Sequence, residues 1–106
     1  MAALADTVIE IVKQYIRELQ LHDIPVQKTI IFGSYVKGNA TDDSDIDIAV
    51  ISDVFSGDRF DDRRRIVPFR RNIDSRIEPV PFRPERFAEG GNLVDDIKKT
   101  GIIIVV

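Results

Sequence analysis

Apolar side chains at Leu4, Val8, Ile11, Val12, Tyr15, Ile16 and Leu19 recur every three or four residues and draw the stripe of an amphipathic helix from Leu4 to Leu21. Thr7 and Glu10 have the spacing of a capping box. The helix closes over His22-Asp23-Ile24-Pro25, because a proline disfavours helical geometry in the residue before it. The period then changes. Thr29-Ile30-Ile31-Phe32, ending at Gly33, and Asp47 to Ile51, ending at Ser52-Asp53, are short apolar runs of the kind that form buried strands. Arg59 to Arg71 carries Phe60, Ile66, Val67 and Phe69 among its charges, which predicts a helix that Pro68 kinks or restarts.

Asn72 to Val80 alternates. Ile73, Ser75 and Ile77 fall on one face and Asp74, Arg76 and Glu78 on the other, with Pro79 and Pro81 ending the strand or confining it to an edge. Arg83 to Ala88 predicts a helical turn. Asn92 to Thr100 predicts a short helix with Asn92 as its N-cap and Gly101 past its end, and Ile102 to Val106 a last strand. The whole reads as an α+β fold, a small mixed sheet of about four strands with helices packed on it.

Composition narrows this further. With 106 residues, 43% of them hydrophobic, the chain is expected to form one domain over 1–106 with a single core. Fifteen Lys and Arg against eighteen Asp and Glu give a net charge of -3, so no molecule-wide basic field points to nucleic acid as a direct partner or to an anionic membrane. No cysteine is present, which excludes disulfides and thiolate metal sites. The sequence shows no signal-peptide pattern, and no apolar run approaches the roughly 18 residues of a membrane span, so the expected location is the cytoplasm. The arginines Arg63, Arg64 and Arg65 read as a solvated helix face paired with Asp61 and Asp62, and His22 as a residue that caps the first helix or faces water. The apolar Ile102 to Val106 run reads as a core or edge strand, with an edge that could pair with a second copy of the chain.

The chemistry concentrates in GSYVKGNATDDSDID, Gly33 to Asp47. On a strand, Asp45 and Asp47 project to the same face with Cα atoms about 6.5 Å apart. Carboxylates that close repel unless a proton or cation lies between them, and a hard divalent ion such as Mg²⁺ suits all-oxygen donors. Gly33-Ser34 lets backbone approach a ligand closely. If Ser34 to Lys37 turns into a helix, its free N–H groups favour an anion, to which Lys37 adds charge. A cation site beside an anion cradle suits phosphoryl transfer. Two other motifs fail letter by letter. Asn39-Ala40 follows Gly38 where a P-loop needs Lys-Ser or Lys-Thr, and Ile48 and Val54 replace the glycine and the last glutamate of an EF-hand loop.

Gly33-Ser34, ten residues, then Asp45-Ile46-Asp47 reproduces the GS-x10-DxD signature, and with Gly38 and Ser44 the chain resembles the minimal nucleotidyltransferases of the DNA polymerase β-like superfamily. The resemblance is dense from Thr29 to Ile51 and looser elsewhere. It implies the polymerase β-like fold, with Asp45 and Asp47 as ligands of the Mg²⁺ ions, two during turnover, that accompany ATP or another nucleoside triphosphate. It also implies Gly33, Ser34, Lys37 and Ser44 at the triphosphate, and Tyr35 stands where relatives often carry a basic residue. A third carboxylate is expected from a later strand. Glu78 is preferred although relatives usually carry aspartate there, and Asp74, on the same predicted face, is the alternative.

Two functions follow from the resemblance. One is Mg²⁺-dependent transfer of a nucleoside monophosphate, AMP from ATP in the first instance, to a hydroxyl of a macromolecule such as a tyrosine of a HEPN-type toxin. The other is an antitoxin-like module that binds a HEPN partner with little catalysis. Since the signature, third strand, closing helix and final strand take up the sequence, the acceptor is expected to bring its own docking surface, with the Leu93 to Ile97 helix or the Ile102 to Val106 edge as contact.

Overall fold

The computed structural model describes residues 5–106. Helix α1 spans Asp6–Leu21 and buries Val8, Val12, Tyr15, Ile16 and Leu19, the stripe expected from the spacing; the expected start at Leu4 lies outside the described residues. The capping box is not formed, because the N-cap is Ala5 and no side chain bonds the first turn. At the other end His22 does serve as a cap: its Nδ1 lies 2.9 Å from the Glu18 carbonyl, and its ring packs 4.6 Å from that of Phe69.

Four strands follow: β1 (Lys28–Phe32), β2 (Ile46–Ile51), β3 (Ile77–Phe82) and β4 (Ile102–Ile104), in the spatial order β3-β2-β1-β4. The sheet is mixed, with β1 antiparallel to both β2 and β4 and β2 parallel to β3. Between the strands lie α2 (Ser34–Lys37), α3 (Arg59–Ile66), α4 (Pro84–Glu89) and α5 (Asn92–Thr100). A 3₁₀ helix, Val67–Asn72, restarts the chain after α3 with proline in its first turn, as Pro68 requires.

The sheet is covered on both faces. Ile31, Ile48, Val50 and Ile77 pack with α1 and Ile66, while Ile30, Phe32, Ala49, Ile51 and Phe82 pack with Phe87, Val94 and Ile97. Strands covered twice must be apolar throughout, which is why β1 and β2 read as unbroken apolar runs. Gly101 joins α5 to β4 at an ordinary φ of −72°. Its role is space, since a Cβ there would collide with Ile30 and the Ile97 carbonyl.

The third strand departs from the sequence reading. It starts at Ile77 rather than Asn72 and runs through both prolines to Phe82. Pro79 and Pro81 are tolerated because β3 is an outer strand, where missing N–H groups on the open side cost no ladder bond. Asn72 to Arg76 is 3₁₀ end and turn, so Asp74 does not share a strand face with Glu78. The last helix covers Asn92–Thr100 as expected, but its N-cap is Gly91 rather than Asn92, and β4 is shorter than Ile102 to Val106.

Candidate active site

Antiparallel pairing sets Phe32 opposite Asp47, and parallel pairing sets Asp47 beside Glu78. The end of β1, the start of β2 and the start of β3 therefore meet at one rim. Here the row Ile51, Ala49 on β2 continues to Asp47, and by the two-residue period to Asp45 just before the strand. Asp45 is exposed, while Asp47 and Glu78 are half-buried.

Gly33 forms the wall of this site. At φ 77° and ψ −148° its backbone suits glycine alone, and a Cβ would run into the Asp47 carboxylate. After Gly33 the chain forms the expected single turn α2. The N–H groups of Val36 and Lys37 return to the Gly33 carbonyl, so those of Ser34 and Tyr35, the first two of the turn, have no intrahelical acceptor. Gly38 closes the turn in the left-handed conformation.

The electrostatics match the geometry. Burial, then the charges of Asp45 and Glu78, push the Asp47 carboxyl above the usual carboxylate range, the signature of negative charge gathered without full compensation. Glu78 has partners of its own. Its Oε1 accepts from Arg63 Nε at 3.0 Å and Nη2 at 2.5 Å, and its Oε2 faces Arg70 Nη1 at 3.4 Å. Arg70 also donates to the Ile77 carbonyl at 2.8 Å. Below them Tyr15, whose hydroxyl donates to the Ile66 carbonyl at 2.6 Å, is held protonated by burial.

Among the described residues no three His, Cys, Asp or Glu side chains converge on one point. Asp45 and Asp47 still fit a hard cation: their charge is crowded, one carboxylate is open to solvent, and such an ion completes its shell with water and phosphate oxygens. Glu78 is adjacent, with both oxygens turned to arginine.

The other candidates sit as follows. Ser44 Oγ accepts the Thr41 N–H at 2.8 Å and braces the turn before Asp45. Lys37 lies 3.7 Å from Asp96 on α5. Asp74 is bound to its neighbour Arg76, with Oδ1 accepting the Arg76 N–H at 2.9 Å and Oδ2 facing Nη2 at 2.9 Å, and this pairing holds its carboxyl below the usual range.

Three arginines take roles that the spacing does not predict. Arg76 donates to the Tyr35 hydroxyl at 2.9 Å and approaches the Asp42 carbonyl at 3.4 Å, so it ties the signature loop to the approach to β3. Arg63 and Arg70 hold Glu78. The expected pairing of Arg63 to Arg65 with Asp61 and Asp62 holds only for Arg64 with Asp61. Asp62 is instead buried, because it accepts the N–H groups of Ser56 and Gly57. Nothing in the local spacing of the arginines marks which of them reaches β3.

Comparison with known proteins gives the family and the fold. A family model described as a nucleotidyltransferase domain matches residues 9–104. Among solved structures, the chain is similar to a nucleotidyltransferase candidate from Sulfolobus solfataricus, with 18% identity, a TM-score of 0.64, and 91% of this chain and 78% of that one covered. It is also similar to a toxin–antitoxin solved with AMP-PNP, at 21% identity and a TM-score of 0.57, covering 92% of this chain and 72% of that one. A third is a mutant of the toxin–antitoxin MntA-HpeT in which two aspartates are changed to glutamate, at 20% identity and a TM-score of 0.54, covering 88% and 70%. At these identities the structural likenesses show the fold. No curated protein matches the chain. Among the described residues no helix is long and apolar enough to cross a membrane.

Proposed function

The chain belongs to the nucleotidyltransferase domain family, and we propose that it moves a nucleoside monophosphate, AMP from ATP, onto a hydroxyl of a macromolecular acceptor with Mg²⁺ at Asp45 and Asp47. The observation that carries this reading is the fit of Gly33 against Asp47, whose carboxyl also feels the charges of Asp45 and Glu78. Asp45 and Asp47 hold the cation, Glu78 is the third carboxylate within reach, and Gly33, Ser34 and the first N–H groups of α2 face the polyphosphate. Lys37 and Ser44 act at its margin, one through charge and the other by bracing the turn. When bound, Mg²⁺ neutralises charge on the phosphate oxygens. The acceptor hydroxyl attacks the α-phosphorus, the bond from that phosphorus to the bridging oxygen breaks, pyrophosphate leaves, and the hydroxyl proton passes to a carboxylate of the cluster. Position and charge supply most of the rate in such transfers.

The toxin–antitoxin neighbours, one solved with AMP-PNP, support a protein acceptor over a small metabolite, and the resemblance to the minimal nucleotidyltransferases makes a HEPN-type partner, modified on tyrosine, the acceptor we propose. They also support a second reading, in which the chain is an antitoxin-like module that binds such a partner with little catalysis. Incubation with α-labelled ATP and the proteins that co-purify with the chain separates the two. Label on a co-purifying protein, lost with Asp45→Asn, is the expected result. Stable co-purification without label favours the binding module, and label on a small molecule alone contradicts both.

A further inference from the structure

Glu78 stands beside Asp47 in the strand register, yet both of its carboxylate oxygens are taken by guanidinium groups from outside the sheet. Arg63 projects from α3 and donates from Nε and Nη2 to the single oxygen Oε1, at 3.0 and 2.5 Å, a doubled charge-assisted contact. Arg70, from the 3₁₀ helix, faces Oε2 at 3.4 Å and is fixed by its bond to the Ile77 carbonyl at 2.8 Å. The Arg63 and Glu78 side chains are 43% and 30% exposed, so the pair is open enough to exchange partners.

Resting on the reading of Asp45 and Asp47 as a cation site, we propose that Arg63, supported by Arg70, is a positioning residue that latches Glu78 away from that site. The cation then meets a two-carboxylate site first. Glu78 joins it only by giving up the doubled Arg63 contact, so Arg63 sets the cation concentration at which the three-carboxylate site assembles. Opposing charge attracts Glu78 both ways: toward the guanidinium groups when the site is bare, toward the cation when it is filled.

A simple positive charge near the site would weaken cation binding too, and the test must separate that from a latch. Mn²⁺ affinity, measured by titration calorimetry without nucleotide, serves as a readout independent of activity. Wild type, Asp45→Asn, Arg63→Gln, Arg63→Lys, Glu78→Gln and the double variant Arg63→Gln with Glu78→Gln are compared, each confirmed folded by circular dichroism. Arg63→Gln is expected to tighten Mn²⁺ about tenfold, the scale of one partly exposed charge-assisted hydrogen bond. In the Glu78→Gln background the gain is expected to fall below about threefold, since no carboxylate remains to release. Arg63→Lys keeps the charge without the doubled contact and is expected to fall between wild type and Arg63→Gln. An equal gain with and without Glu78 overturns the latch and leaves a charge effect only. Mn²⁺ binding unaffected by Asp45→Asn overturns the cation site itself, and the latch with it.

Discussion

Gly33 lies so close to Asp47 that a β-carbon on the glycine would overlap the aspartate's carboxylate oxygen. Gly33→Ala is therefore strained twice, by a φ of 77° and by the collision. The expected cost is about 2–3 kcal/mol of stability, together with at least about a tenfold loss of nucleotide affinity because Asp47 must move. Thermal melting and titration with Mg-ATP check both; an alanine variant with unaltered binding would mean that the Gly33 wall does not shape the site.

At Asp47 stability and function separate. Its carboxyl is raised by burial and by the neighbouring Asp45 and Glu78 charges, so its ionised form strains the metal-free fold. Asp47→Asn is expected to raise the metal-free melting temperature at neutral pH by roughly 2–4 °C, the equivalent of about 0.5 kcal/mol of relieved repulsion. Differential scanning calorimetry in the presence of a chelator reads this directly, and a fall in melting temperature would identify Asp47 as a structural hydrogen-bond partner.

Asp62 is buried among bonds to the Ser56 N–H at 2.7 Å, the Ser56 hydroxyl at 2.9 Å and the Gly57 N–H at 3.0 Å. Asp62→Ala leaves those loop donors without their acceptor and is expected to cost about 2–4 kcal/mol. Urea unfolding measures it. A loss under 1 kcal/mol would show that water replaces the carboxylate.

What the sequence discloses divides along the range of its causes. The apolar stripe of α1 along its described residues, the runs of β1 and β2 and the helical turn after Gly33 are local, and each lies where the spacing predicts it. The third strand starts later than its spacing predicts, because Asn72 to Arg76 alternates like a strand while the 3₁₀ helix and the Asp74–Arg76 pair hold it as a turn. The partners of Arg63 and the burial of Asp62 depend on where α3 lands against β3 and the 56–57 loop, a relation between distant segments that residue spacing does not carry.

Asp74 and Glu78 are expected to answer differently to substitution. Asp74 is paired with Arg76, which holds its carboxyl below the ordinary range. A depressed folded value makes the pair's stability present above the unfolded carboxyl value of about 3.9 and lost as pH falls through the folded value. Asp74→Asn is thus expected to cost up to about 1 kcal/mol at pH 7, with the gap from wild type closing in acid, and to retain most of the transfer activity. Glu78→Gln is expected to impair transfer more. The reverse ranking, with both variants folded, would assign the third carboxylate to Asp74.

The most direct measurement is calorimetric titration of the metal-loaded nucleotide. Mg-ATP is titrated into wild type, Asp45→Asn and Asp47→Asn under identical salt, with chelated ATP as the reference. The account predicts binding to wild type that needs Mg²⁺ and weakens at least about tenfold in either variant, while both variants remain folded. Equal affinity in all three proteins would place the nucleotide elsewhere and contradict the assignment of Asp45 and Asp47.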